Sequence, residues 1–184
     1  MKKALFISGS ARNGNCKEIL EKLQKDFWLE YSTEVIYLRD FDLTPCHGCK
    51  GCKKEKTYEC VYPDKLDLLM GKVMDAEIVI LATPSYFYNV SSLTKNFIDK
   101  TYPCYHHKLL NNKKFIYIYT GEDEPEITKR HLDACMWGFS SCHKLAVLGS
   151  FAFSCGEIGE FNNEQDKNSK IKEISALIRK YLNM

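Results

Sequence analysis

Four of the nine cysteines in the 184-residue sequence crowd into one short segment, and they are Cys46, Cys49, Cys52 and Cys60. Their spacing is C-x2-C-x2-C-x7-C, and such short intervals let successive thiolates converge on one iron–sulfur cluster. The segment also holds lysines that would offset the negative charge of such a cluster, namely Lys50, Lys53, Lys54 and Lys56. A metal-free, redox-labile loop stays an alternative. Zinc is disfavoured, because it prefers pairs of cysteines separated by a longer gap.

A second group of residues has the composition of a phosphate-binding loop. Residues 9–15 read Gly-Ser-Ala-Arg-Asn-Gly-Asn and follow a short apolar run at residues 4–7. The start of a helix leaves backbone N–H groups without partners and favours an anion. Gly9 permits a tight turn, and further donors come from Ser10, Arg12 and Asn15. An ordinary strand-to-helix turn is the alternative. The pattern matches neither Gly-x-Gly-x-x-Gly nor a Walker loop.

A third group is aromatic and lies at residues 83–89, which read Thr-Pro-Ser-Tyr-Phe-Tyr-Asn. The segment directly follows a buried strand pattern at residues 78–82. Tyr86 and Phe87 offer flat apolar faces for a planar ring, and nearby backbone groups can meet its polar edge. Taken alone, these residues are better explained by packing within a loop or by an oligomer contact. Beside a phosphate loop, they favour a flavin.

The elements that must position these groups alternate between strands and helices. Continuous apolar runs predict five strands covered on both faces, at residues 4–7, 35–38, 78–82, 115–119 and 145–148. Amphipathic stretches between and after them predict helices, with Asp64 as the N-cap of the second. This alternation predicts an α/β fold, a flavodoxin-like doubly wound parallel sheet of order 2-1-3-4-5. We expect a single domain over residues 1–184 with a cysteine-rich insertion at 44–63.

Composition excludes several other classes of protein. The formal net charge is only +2, with 26 basic and 24 acidic residues, so a nucleic-acid partner is not expected. No segment approaches the run of roughly 18 apolar residues that would predict a membrane span. We therefore expect a cytoplasmic protein, in which the remaining cysteines are mostly small buried hydrophobic residues.

The two loops together resemble the NAD(P)H-dependent FMN reductase family, and the cysteine segment resembles that of its iron–sulfur flavoprotein branch. The resemblance implies FMN bound by Gly9, Ser10, Arg12, Asn15, Cys16, Pro84, Ser85, Tyr86, Phe87, Tyr88, Asn89, Thr120 and Gly121. Ser10, Arg12, Asn15 and Cys16 would contact the phosphate. The ring would be bordered by Pro84, Tyr86, Phe87 and Asn89, and Thr120 and Gly121 would close the site. It also implies a [4Fe–4S] cluster on Cys46, Cys49, Cys52 and Cys60. Cys16 departs from the family, which usually has a hydroxyl residue there. We expect weaker phosphate binding and a redox-sensitive thiol from this change.

The activity implied by the resemblance is that of an FMN-dependent oxidoreductase. Electrons would come from NAD(P)H or a ferredoxin and pass to a small acceptor, with the cluster as a further carrier. No acid–base residue is assigned, because hydride transfer to flavin does not require one. A homodimer or homotetramer is implied as well. Two alternatives stay open: a flavodoxin-like electron carrier, which the near-neutral charge disfavours, and a cysteine-based redox sensor.

Overall fold

A computed structural model describes residues 2–54, 59–163 and 165–183, and its centre is a parallel sheet. The strands are β1 (Lys3–Ser8), β2 (Ser32–Tyr37), β3 (Ile78–Tyr86), β4 (Asn89–Val90), β5 (Lys114–Gly121) and β6 (Ala146–Ser154). The five long strands lie in the order β2-β1-β3-β5-β6 and are parallel throughout. This confirms the predicted flavodoxin-like order. The two-residue β4 is an addition that the sequence pattern did not predict, and it pairs antiparallel with the end of β3.

Helices cover both faces of the sheet, as the continuous apolar strands require. They are α1 (Asn15–Lys25), α2 (Leu66–Asp75), α3 (Ser92–Lys100), α4 (Tyr102–His107), α5 (Pro125–His143) and α6 (Gln165–Leu182). Side chains of α1 and α6 pack in one core with Ala4 and Phe6. Side chains of α2, α3, α4 and α5 pack in a second core with Leu5 and Ile7. Successive residues of β1 therefore anchor opposite layers, since strand side chains alternate between faces.

Two elements differ from the sequence prediction. The last strand was expected at residues 145–148 but runs from Ala146 to Ser154. Much of this edge strand is only half-buried, so its sequence lacks the continuous apolar signal of the inner strands. The second difference is α4, which begins at Tyr102 with Pro103 in its first turn. This helix packs on a 3-10 turn at Gly51–Lys53, within the predicted insertion.

The scattered cysteines were expected to be mostly buried, and three of the five are. Of the five scattered cysteines, Cys16, Cys104 and Cys155 are buried, whereas Cys135 is partly buried and Cys142 is exposed. None of the helices in the described ranges combines the length and apolarity that crossing a membrane requires.

Candidate functional site

A cavity lies at the carboxyl edge of the sheet, where the chain order reverses between β1 and β3. It has a volume of about 480 Å³ and is built from the loops that follow β1, β3, β5 and β6. The residues lining it are Arg12, Pro84, Ser85, Tyr86, Phe87, Tyr88, Thr120, Gly121, Glu122, Asp123, Cys155 and Gly156. Eight of these belong to the predicted set, and all four of the others follow β5 or β6. Ligands of open α/β sheets bind at this kind of edge.

Gly9 forms the closest approach between the loop after β1 and the start of α3. Its N–H donates to the Ala82 carbonyl at 2.7 Å, and its carbonyl accepts from the Ser91 hydroxyl at 2.5 Å. A Cβ atom at Gly9 would lie 1.9 Å from Thr94 Oγ1. The position therefore requires glycine for space, because any side chain would collide with α3.

A buried network of hydroxyl groups supports this contact, and sequence reasoning missed it. Ser91 is the N-cap of α3, and its Oγ accepts from the Thr94 N–H at 3.1 Å. Thr94 in turn donates to Thr83 Oγ1 at 2.9 Å. All three side chains are almost inaccessible to solvent. A serine directly before a helical pattern is a helix-start signal, and Ser91 was therefore the available clue.

The loop at residues 9–15, where a phosphate is predicted to bind, is held by two arginines. The Arg12 side chain donates from Nη2 to the Gly156 carbonyl at 3.0 Å, while the Arg12 N–H donates to Ser10 Oγ at 3.1 Å. Arg39, which the sequence analysis did not single out, donates to the Ala11 carbonyl at 3.0 Å and to Asn13 Oδ1 at 2.5 Å. Arg39 thus fixes the loop through contacts outside the cavity. The Arg12 side chain lines the cavity.

The Asn15 side chain is occupied by contacts within the chain. Its Nδ2 donates to the carbonyls of Cys155 and Glu157, at 3.1 and 2.8 Å, and its Oδ1 accepts from the Phe161 N–H at 3.2 Å. The amide therefore fixes the loop after β6. A phosphate contact by Asn15 stays a prediction, and its backbone N–H lies in the first turn of α1, where helices leave donors for an anion.

Cys16 is buried, and its thiol lies 3.3 Å from the Thr120 hydroxyl. Burial raises the pKa of this thiol to about 11. The thiol is therefore protonated at neutral pH, and thiols of this kind react slowly. This argues against the redox sensitivity that the sequence analysis expected at this position.

The aromatic segment forms a tight hairpin between β3 and β4. Tyr86 pairs with Asn89, and the two residues between them, Phe87 and Tyr88, both have positive φ values of 51° and 57°. This is the geometry of a type I′ turn, which usually takes Asn or Gly. Bulky residues adopt it only under strain. The Phe87 side chain is fully exposed to solvent at the edge of the cavity. The Tyr88 ring packs on the His131 ring, with 4.6 Å between the ring centroids.

The cysteine segment forms a second, smaller site beneath α3 and α4. Cys46, Cys49, Cys52 and Cys60 line one cavity of about 20 Å³. Burial, followed by the repulsion of the other three sulfurs, raises the pKa of Cys52, so the four side chains interact electrostatically. Soft thiolate donors facing one cavity fit an iron–sulfur cluster chemically. Within residues 2–54, 59–163 and 165–183, however, no three potential ligands stand close enough to share a metal ion. The sulfurs would have to draw together around a cluster.

Both sites are attached to the same helix, α3. Its N-terminus contacts Gly9 through Ser91, and at its C-terminus Lys100 pairs with Asp64 at 2.7 Å. Between these ends, Asn96 donates to the Leu43 carbonyl at 2.7 Å, at the entry to the cysteine segment. Asp64 was predicted as the N-cap of α2. It precedes that cap by one residue and accepts from the Leu66 N–H at 2.9 Å.

Sequence comparison identifies the family of the chain. Residues 2–157 match the family described as NADPH-dependent FMN reductase. The chain belongs to this family. Among its relatives, an iron–sulfur flavoprotein of Archaeoglobus fulgidus is 29% identical over 97% of this chain and 82% of its own length. A second from that organism is 32% identical over 54% of this chain and 48% of its own length. An iron–sulfur flavoprotein from Methanocaldococcus jannaschii is 36% identical over 55% of this chain and 52% of its own length. The matched regions thus span about half the length of two of these relatives.

Solved structures show the same fold. The Trp repressor binding protein from Bacillus subtilis superposes with a TM-score of 0.66 at 20% identity, covering 97% of each chain. A flavodoxin from the domain Archaea superposes with a TM-score of 0.60 at 11% identity, covering 97% of this chain and 98% of its own. At these identities the likeness establishes the flavodoxin-like fold of this family member and nothing finer.

Proposed function

We propose that this protein is an FMN-dependent oxidoreductase that takes electrons from NAD(P)H or a ferredoxin and delivers them to a small acceptor. The observation that carries the proposal is the cavity at the switch point of the sheet, bordered by Arg12 on one side and the Tyr86–Tyr88 hairpin on the other. Bound FMN would supply the redox chemistry by accepting a hydride and releasing its electrons to an acceptor.

The phosphate end of the cofactor fits the loop after β1. Gly9 brings the backbone close to α3, Arg12 supplies a positive charge at the cavity, and the first turn of α1 supplies N–H donors. The Thr120 hydroxyl lies 3.3 Å from the Cys16 thiol, and both side chains are buried. This loop would orient FMN by its phosphate, so that the flavin ring extends toward β3 and β5.

The ring end fits the hairpin and the ends of β3 and β5. Pro84 and Thr120 lie side by side at the ends of these two strands and line the cavity together with Ser85 and Gly121. Phe87 stands in solvent at the rim of the same cavity. An exposed aromatic ring at this rim can stack on a planar donor or acceptor. Glu122 and Asp123 add negative charge to the same cavity.

The four cysteines would hold a [4Fe–4S] cluster as a second electron carrier. The support is chemical: four thiols line one cavity, and iron–sulfur flavoproteins are among the relatives. The structural link to FMN is α3, whose nine residues span roughly 13 Å at about 1.5 Å per residue. The two carriers would then be joined by one rigid element. The cytoplasmic location, the ferredoxin partner and the homodimer or homotetramer stay predictions.

Anaerobic purification followed by a visible spectrum tests both cofactors at once. We expect the bands of oxidised flavin, one FMN per chain after acid release, and iron and sulfide in equal amounts. Oxidation of NADH and of NADPH is then followed with a small quinone as acceptor. Colourless protein that does not take up added FMN would overturn the proposal. Flavin without turnover of either nucleotide would instead favour a pure electron carrier.

A pair of cysteine variants separates the cluster from the flavin. Cys49→Ala removes a proposed ligand, whereas Cys142→Ala removes a thiol that is equally exposed but lies on α5. We expect Cys49→Ala to lose iron and sulfide while keeping FMN, and Cys142→Ala to keep all three. Equal iron content in the two variants would contradict the assignment of the cysteine segment.

A further inference from the structure

Lys100 is a buried cation whose place in the fold the FMN site does not explain. It is the last residue of α3, and its side chain is only 2% exposed. Its partner Asp64 is 4% exposed and lies just beyond the cysteine segment. Burying two charges carries a desolvation penalty that the pairing often fails to offset, so such a pair is weak evidence for stability alone. The burial of Lys100 is therefore better explained by an interaction with a neighbouring group than by a contribution to stability.

That neighbouring group is the Cys60 thiol. Lys100 and Cys60 line the same small cavity, together with the other three cysteines. The lysines of the segment itself are placed differently: Lys50, Lys53 and Lys54 are exposed, and residue 56 lies outside the described ranges. An exposed charge is screened by water and salt, whereas a buried one acts at close range.

The surroundings of Lys100 fix its ammonium group in place. Asp64 Oδ2 accepts from Lys100 at 2.7 Å, and also from the Thr44 N–H at 3.0 Å and the Thr44 hydroxyl at 2.8 Å. Lys100 itself reaches Thr44 Oγ1 at 3.4 Å. Thr44 and Asp64 flank the cysteine segment on its two sides, so one lysine joins both ends of that segment to α3.

We propose that Lys100 is a positioning residue of the four-cysteine site, held by Asp64 so that its ammonium group donates to the Cys60 sulfur. This inference rests on the proposed cluster. A donor on a ligand sulfur and a positive charge beside the cluster stabilise the more negative, reduced state, and both raise the reduction potential. Lys100 therefore favours acceptance of an electron by the cluster, and it slows the loss of iron by holding Cys60 in place.

The test compares Lys100→Met with Lys95→Met in the full chain, loaded anaerobically with iron and sulfide. Lys95 is a matched control because it lies on the same helix, is exposed, and pairs with Asp99 at 2.7 Å. We expect Lys100→Met to shift the cluster potential to a more negative value, measured by redox titration with electron paramagnetic resonance. We also expect iron release to a chelator to become about 10-fold faster, as when partners of metal ligands are removed. Lys100→Arg should restore both, and FMN content should stay unchanged.

A second comparison covers the case in which Lys100→Met does not fold. The double variant Asp64→Leu with Lys100→Met replaces the buried pair by apolar side chains, which often restores stability. We expect it to fold and still show the more negative potential. If either folded variant showed a wild-type potential and wild-type iron release, the proposed role of Lys100 would be overturned, while the cluster proposal would stand. A wild-type protein that takes up no iron and sulfide would overturn the cluster and this inference together, while FMN binding is judged separately.

Discussion

The thiol of Cys16 lies 3.3 Å from the hydroxyl of Thr120, and this contact joins the first turn of α1 to the C-terminal end of β5. Both side chains are buried, at 2% and 4% exposure. The contact joins two elements, α1 and β5, whose ends would both border FMN. It also places a thiol, a poor hydrogen-bond donor, at a position next to the expected phosphate.

Replacing Cys16 by serine is predicted to tighten FMN binding. A hydroxyl donates more strongly than a thiol, and hydrogen bonds to charged groups contribute about 1.5–3 kcal/mol. Because the thiol already donates weakly, only part of this free energy is gained, and we expect the dissociation constant to fall by up to about 10-fold. The measurement is quenching of FMN fluorescence on titration into apoprotein, with Cys142→Ser as the control on the exposed surface of α5. Unchanged or weaker FMN binding in Cys16→Ser would show that this side chain does not meet the phosphate.

Replacing Arg12 by methionine is predicted to weaken the binding of FMN but not of riboflavin. Only FMN carries the phosphate, and loss of a charged hydrogen bond worth about 1.5–3 kcal/mol raises its dissociation constant about 10- to 100-fold. Titrating apoprotein with both flavins measures the difference directly. The FMN affinity of the variant should also depend less on salt.

Arg39→Met is the comparison that separates charge from loop order. Arg39 holds the outer side of the loop through Ala11 and Asn13 and is absent from the cavity lining. Its loss should weaken FMN binding less than the loss of Arg12. If Arg12→Met lowered the affinity for both flavins equally, Arg12 would be acting on the shape of the loop and not on the phosphate.

Much of the fold could be predicted from the sequence because parallel strands covered on both faces are continuous apolar runs. Residues 78–82 are entirely apolar and fully buried in β3, so their place in the sheet was predictable. The edge strand β6 extends past its prediction, because half-buried residues such as Ser150 give no clear apolar period. The hairpin at Phe87 and Tyr88 was not predictable, since neither residue type favours a positive φ.

The candidate site was predicted in outline but not in its contacts. The loops after β1 and β3 could be placed together by topology, and the cavity lies there. Asn15 was expected to meet a phosphate, but its amide spans to Cys155 and Phe161, more than 100 residues away in the chain. Such long-range partners leave no local signal. The same holds for Lys100 and Asp64, which a sequence shows only as two separate charged residues.

Replacing Gly9 by alanine is predicted to destabilise the protein and abolish tight FMN binding. The new Cβ would lie 1.9 Å from Thr94 Oγ1 and 3.2 Å from the Ala82 carbonyl, and overpacking of this kind typically costs about 1–3 kcal/mol. Urea unfolding measures the loss. Gly138→Ala is the matched control, because a Cβ there meets nothing within 4 Å and alanine favours a helix over glycine by about 0.5–1 kcal/mol.

The collision can be tested by removing its other partner. In Gly9→Ala with Thr94→Ala, the hydroxyl that the new methyl group would strike is gone, so the double variant should be less destabilised than the sum of the single variants. Strict additivity would indicate that the cost arises from the backbone conformation at residue 9 and not from contact with α3.

The last prediction concerns His143, which is buried at the end of α5. Thr101 donates its hydroxyl hydrogen to the Ile98 carbonyl at 2.7 Å, so at the 2.9 Å contact with His143 the proton must come from Nε2. Nδ1 is then the bare nitrogen, and among the described residues it has no hydrogen-bond partner. A proton added there would bring an unpaired charge into an apolar environment, which lowers the pKa of His143 to about 4.

The sign of the pH dependence follows from this lowered pKa. Above pH 6.5, the ordinary value, His143 is neutral in both states and contributes no pH dependence. Between 6.5 and about 4 the unfolded chain binds the proton first, so the free energy of unfolding falls as the pH falls, by at most about 3 kcal/mol at ~1.36 kcal/mol per pKa unit. Urea unfolding at several pH values should show this loss in wild type and a smaller one in His143→Gln, which keeps a donor for Thr101 but does not titrate. His47→Gln changes an exposed histidine and should behave as wild type; if His143→Gln did so too, the buried imidazole would not be the group that destabilises the protein in mild acid.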